Sequence, residues 1–192
     1  MEYRLKSDDL IKTLHQWGRF IKKDLHLIAC GGTALTLLGL KESTKDVDFM
    51  VPDLEEYKYL AKVLNEIGYK ASGFSWRQEN DLFIWDIFPG KRIHTTELLE
   101  SPLQEGNNIF YKKIGKVYIG ILNYYDLICS KLIRGKTVDY EDCGVLMNAK
   151  SKEIDIEKLK RHYQELISYD VSEDLIKKNV ERLLEKLKKD KK

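Results

Sequence analysis

Residues 28–51 constrain this chain more than any other stretch. An apolar run ending at Cys30 meets Gly31-Gly32, then Thr33 to Leu38 can continue as a short helix. A loop from Gly39 to Lys45 leads into Asp46-Val47-Asp48-Phe49-Met50-Val51. The pattern reads as strand, turn, helix, loop and strand, with the second strand beginning at Asp46. Glycines at a helix start leave backbone N–H groups open to an anion and let it approach closely. Asp46 and Asp48 stand at i and i+2, so on a strand both carboxylates leave one face. Two such carboxylates repel unless a hard cation lies between them, and oxygen ligands of this kind suit magnesium. The bland alternative is a tight strand-to-helix turn followed by a solvated acid pair.

Around this stretch the periodicity alternates between helix and strand. Ser7, Asp8 and Asp9 cap a helix over 8–23, whose inward positions are Leu10, Ile11, Leu14, Trp17, Phe20 and Ile21. Residues 25–30 form the first strand. Asp53 caps a helix with Glu56 three residues on, and Gly68 ends it. Residues 69–78 read as a weak strand or hairpin arm, and Glu79-Asn80 as a turn. Residues 81–88 are the strongest strand, apolar on both faces and closed by Pro89-Gly90. Asp86 lies inside that run, where a carboxylate is costly to desolvate unless a cation, a basic side chain or hydrogen bonds meet it. Asp81, beside Asn80, is the more solvated rival.

Residues 91–107 read as loop with a short helix near 95–99, and carry no signal for chemistry. Residues 109–113 and 117–122 make a hairpin about Gly115. Helices follow over 123–133, 139–148, 154–168 and 172 to the tail. The expected architecture is α/β (α+β): a mixed sheet flanked by helices in residues 1–122, then a C-terminal helical bundle in 123–192.

Composition narrows the class. The chain has 192 residues, 43% hydrophobic and 33% charged, which is enough for a real core and is not a disordered composition. A net charge of +2 does not by itself demand nucleic acid, and the basic excess sits in Lys186, Lys188, Lys189, Lys191 and Lys192. No apolar run reaches membrane-spanning length and no signal-peptide core opens the chain, so no membrane partner and a cytoplasmic location are expected. Cys30, Cys129 and Cys143 lack metal-ligand spacing and read as reduced, buried thiols.

The order Cys30-Gly31-Gly32, thirteen intervening residues, then Asp46-Val47-Asp48-Phe49 resembles the signature of the polymerase-beta-type nucleotidyltransferase superfamily. The wording is similar to the small prokaryotic branch that includes the AbiEii-like abortive-infection toxins. The resemblance implies a nucleotidyltransferase-like fold and transfer of a nucleoside monophosphate from a nucleoside triphosphate, ATP among them, to an acceptor hydroxyl. It implies Asp46, Asp48 and Asp86 as catalytic, metal-binding carboxylates for two magnesium ions, with Gly31, Gly32 and Thr33 cradling the triphosphate. The resemblance to the toxin-like branch further implies RNA, such as transfer RNA, as one candidate acceptor and an antitoxin protein as a candidate partner. A protein side chain, a small molecule, or a degenerate binding module without catalysis are the alternatives.

A second constellation lies in the helical part. Lys131 and Arg134 share one helix face, and Asp139 and Asp142 share one on the next helix. Charges so spaced suit an interhelix ion-pair set. The segment from Asp126 to Asp142 also resembles one that follows the core in the toxin-like branch. That resemblance implies Lys131 as a nucleotide ligand, with Arg134, Asp139 and Asp142 bracing or completing the site.

Overall fold

The computed structural model describes residues 4–79, 83–169 and 173–189. Their elements in order are α1 (Ser7–Gly18), β1 (Leu25–Ala29), α2 (Gly31–Leu37), β2 (Val47–Val51), α3 (Leu54–Glu66), β3 (Lys70–Ser72), β4 (Ser75–Arg77) and β5 (Trp85–Pro89). Then come the short strands β6 (Arg92–Ile93) and β7 (Thr96–Glu97), and the hairpin β8 (Asn108–Ile114) and β9 (Val117–Leu122). Five helices follow: α4 (Tyr124–Arg134), α5 (Thr137–Ala149), α6 (Ile156–Ile167), α7 (Glu173–Ile176) and α8 (Asn179–Lys189). The chain divides into two compact units. The first runs to His94 and resumes over Glu100–Asn123; the second comprises Thr95–Leu99 and the chain from Tyr124 onward.

The first unit is a seven-stranded mixed sheet in the order β3-β4-β5-β2-β1-β9-β8. β1 runs antiparallel to β2 and parallel to β9, while β2 and β5 are parallel. β1 and β2 are buried except at one position each and β5 except at Asp86 and Pro89, as expected of strands covered on both faces. Trp17 of α1 packs on Trp85 at 4.3 Å between ring centroids and meets Tyr69 edge-on at 5.5 Å. Phe49 stacks further along the same face at 6.4 Å from Trp85. Val47, Phe49, Trp85 and Ile87 therefore form one core face. The intervening residues Asp48 and Asp86 belong to the opposite face.

Several expected boundaries shift, each for a local reason. α1 ends at Gly18, because the N–H groups of Arg19 and Phe20 turn back to the carbonyls of Gln16 and Trp17 and tighten the last turn. Phe20, expected inward, is exposed, while Ile21 is buried beyond the helix. β2 begins at Val47, leaving Asp46 in the preceding bend. α3 matches its capping signal: Asp53 Oδ1 accepts from the N–H groups of Glu55 and Glu56 at 2.8 and 2.9 Å. Residues 95–99 hold no helix; β7 lies there, with Thr96 and Leu98 buried at strand spacing. Part of the strand expected over 81–88, with Asp81, lies outside the described residues.

In the second unit α4, α5, α6 and α8 pack through Leu127, Leu132, Leu146, Leu159 and Leu183. The single helix expected from residue 172 is two, α7 and α8. Asn179 sits at the break with its amide buried, donating to the carbonyl of Leu132 at 2.8 Å. Tyr163 Oη donates to the carbonyl of Ile176 at 2.8 Å and anchors the end of α7. α5 starts two residues before the expected Asp139, whose carboxylate accepts from the N–H of Lys136.

Candidate active site

The site is built where β1 ends beside the start of β2. Cys30 N–H donates to the carbonyl of Asp48 at 3.1 Å, tying the two strands at the point where the chain turns into α2. Gly31 has φ +55°, a left-handed conformation that a side chain disfavours. Space imposes the same choice. A Cβ at Gly31 would overlap Asp48 Oδ2 and lie 2.9 Å from its Cγ. A Cβ at Gly32 would lie 2.7 Å from Thr44 Oγ1. The paired glycines thus admit the Asp48 carboxylate and the Thr44 hydroxyl directly against the backbone.

Two threonines fix the approach to β2. Thr33 Oγ1 accepts from the N–H of Asp48 at 2.9 Å and donates to the carbonyl of Asp46 at 3.3 Å. Thr44 Oγ1 donates to the same carbonyl at 2.8 Å. The Thr33 hydroxyl is engaged in bracing the carboxylate-bearing segment. Asp46 is exposed, while the Asp48 side chain retains 13% of its accessible surface.

Asp86 arrives from across the sheet. The parallel register of β2 and β5 pairs Asp48 with Asp86, so the two occupy neighbouring positions on one face, one strand spacing apart. Ser75, opposite Asp86 on β4, donates its hydroxyl to Asp86 Oδ1 at 2.5 Å. This bond holds one carboxylate oxygen in place and leaves Oδ2 to other chemistry. His94 approaches from beyond β6, with Nε2 3.9 Å from Asp48 Oδ1 and its ring edge-on to Phe88 at 4.6 Å.

Sequence reasoning missed Ser75, Thr44 and His94. Ser75 lies in a weakly patterned hairpin, Thr44 in a loop, and His94 in a segment without periodicity. Only the sheet register and the closing turns bring Ser75 to Asp86, His94 to Asp48 and Thr44 to the Asp46 carbonyl.

Among the described residues, no three His, Cys, Asp or Glu side chains converge into a metal site of their own. The donors nonetheless fit magnesium. They are hard carboxylate oxygens, and the Gly31 backbone leaves Asp48 room that a side chain would fill. Magnesium is commonly held by one or two carboxylates with substrate phosphates and water, rather than by an all-protein cage.

The second constellation lies in the other unit, and its charges meet one another. Lys131, only 3% exposed, donates from Nζ to Asp142 Oδ2 at 2.7 Å and lies 3.8 Å from Asp139 Oδ1. Arg134 binds Asp139 with two nitrogens, at 2.9 and 2.5 Å. Burial pushes the Asp139 carboxyl up, but the hydrogen bond and charge of Arg134, then Lys131 and the Lys136 N–H, hold it below its ordinary value. Burial likewise pushes the neighbouring Cys143 thiol up to about 12. The expectation of a free Lys131 ammonium facing a nucleotide is not what this unit shows. A buried ammonium in hydrocarbon surroundings needs anionic partners, and α5 supplies two.

This arrangement is a nucleotidyltransferase fold. In particular, the chain is similar to ANT(2'')-Ia in its crystal structure with adenylyl-2''-tobramycin, with a TM-score of 0.56, 16% identity, and coverage of 83% of this chain and 95% of that one. The solution structure of the antibiotic-resistance factor ANT(2'')-Ia gives a TM-score of 0.51 at 15% identity, covering 75% and 83%. An antigenic nucleotidyltransferase-like protein from Paracoccidioides brasiliensis is a looser likeness, at TM-score 0.48 and 14% identity over 92% and 95% of the chains. No protein-family model matches the chain, and no curated protein matches it significantly. Among the described residues no helix is long and apolar enough to cross a membrane.

Proposed function

We propose that the chain transfers a nucleoside monophosphate from a nucleoside triphosphate to an acceptor hydroxyl, with magnesium held by Asp46, Asp48 and Asp86. The observation that carries this reading is the placement of Asp48 against the Gly31 backbone and in register with Asp86. In the reaction, the acceptor oxygen forms a bond to the α-phosphorus as the bond to pyrophosphate breaks. When bound, magnesium supplies charge stabilisation to the attacking and leaving oxygens. The N–H groups at Gly31 and Gly32 orient the triphosphate, and the absence of side chains there lets it approach. Asp86 takes the acceptor's proton on Oδ2 while Ser75 holds Oδ1. Lys131 serves the ion-pair cluster of its own unit in this reading.

The acceptor divides two versions of the proposal. The sequence resemblance to the toxin-like branch favours RNA, with an antitoxin as protein partner; the structural likeness to ANT(2'')-Ia favours a small polyhydroxyl such as tobramycin. Incubation with each α-labelled triphosphate, magnesium, and either total RNA or tobramycin separates them by which acceptor carries label. Asp86→Asn is expected to abolish labelling while circular dichroism stays unchanged. Labelling by that variant at the wild-type rate would remove Asp86 from the reaction.

A further inference from the structure

His94 is the one described residue other than glycine with a positive φ, at +51°. Histidine tolerates the left-handed region better than most residues, but the conformation still carries a cost. The surroundings hold it there. Arg92 Nε donates to the His94 carbonyl at 3.2 Å, and the ring lies edge-on to Phe88, itself in contact with Phe74 at 5.7 Å. The consequence is directional: Nε2 is brought to 3.9 Å from Asp48 Oδ1, while Asp48 Oδ2 lies against the Gly31 backbone. The carboxylate is held between a backbone that admits one oxygen and an imidazole facing the other. His94 keeps 43% of its side-chain surface, so structural burial does not account for its placement.

We propose that His94 is a positioning residue for Asp48. Its imidazole N–H orients Oδ1, directly or through one water, so that the carboxylate is presented to the divalent ion and triphosphate in a single orientation. The inference rests on the nucleotidyltransferase reading above. It adds a residue from a segment that carried no sequence signal.

The test is a Mn2+ titration followed by electron paramagnetic resonance, on the full chain with α,β-methylene-ATP, together with a melting curve for each variant. Wild type is expected to bind Mn2+ and Asp48→Asn to lose it. His94→Gly should weaken Mn2+ binding by about 10- to 100-fold, the usual effect of removing a partner that orients a metal ligand. Its melting temperature should stay within a few degrees of wild type, since relief of the left-handed backbone offsets the lost ring contact. His94→Gln, which keeps an N–H donor at similar reach, should recover most of the affinity.

Wild-type Mn2+ affinity in His94→Gly would overturn the role of His94 and leave the proposed function standing. A large fall in melting temperature with no recovery in His94→Gln would show a packing role instead and overturn it as well. Absence of Mn2+ binding in wild type would overturn both this inference and the reading beneath it.

Discussion

Gly31→Ala tests whether the turn exists to admit Asp48. Two costs follow from the geometry. The residue sits at φ +55°, where an L side chain costs about 1–2 kcal/mol. The new Cβ would also lie 2.9 Å from Asp48 Cγ and overlap Oδ2, an overpacking cost of about 1–3 kcal/mol. Together they give a loss of about 2–5 kcal/mol, read from the urea midpoint at constant m. The two costs separate in a double-mutant cycle. In an Asp48→Ala background the carboxylate is gone and the nearest remaining side-chain atom is Asp48 Cβ at 3.3 Å, so the backbone cost dominates. The cycle should then show a coupling of about 1–3 kcal/mol between positions 31 and 48. Strict additivity, or a Gly31→Ala loss under about 0.5 kcal/mol, would refute the claim that the glycine makes room for the carboxylate.

The helical unit yields three further predictions. Lys131→Met should lower stability by about 3–5 kcal/mol in urea unfolding, because Asp142 and Asp139 lose a buried countercharge; a change below about 1 kcal/mol would show that the cluster does not depend on it. Against the upward push of burial, Arg134 and Lys131 hold the folded Asp139 carboxyl below its ordinary value, so its contribution is complete above that ordinary value and is lost as pH falls through the lower folded pKa. Asp139→Asn should therefore flatten the acid limb of the stability curve below about pH 4 and cost stability at neutral pH; an unchanged acid limb would contradict the assignment. Cys143, its thiol pushed up to about 12 by burial, and Cys129, raised for the same first reason, should resist Ellman's reagent at pH 8 in native protein and react after unfolding. Rapid native reaction at either would show that α4 and α5 open readily.

Much of the fold is written in local pattern. The Gly31-Gly32 turn, the Asp53 cap of α3, the hairpin about Gly115 and the amphipathic α6 depend on neighbours within a few residues. Their sequence signals and their structures agree for that reason. The carboxylates were legible as residues. Asp48 carries a strand-start signal, and Asp86 stands out as a charge in an apolar run. Where local interactions competed, pattern misled: the period through Phe20 continued past Gly18, and residues 95–99 fitted a helix that they do not form.

Only the tertiary structure decides which of these residues share a site. Asp48 and Asp86 are 38 positions apart, and their pairing follows from the parallel register of β2 and β5, which no local pattern encodes. Ser75 reaches Asp86 because β4 adds to β5 in one register, and a shift of one residue would turn it to the other face. His94 faces Asp48 because a left-handed backbone turns its ring onto Phe88. For Lys131 the sequence offered a phosphate or two aspartates as the answering charge. Packing α4 against α5 buries the ammonium with Asp142 and Asp139, and a charge withdrawn from water takes the anions already beside it.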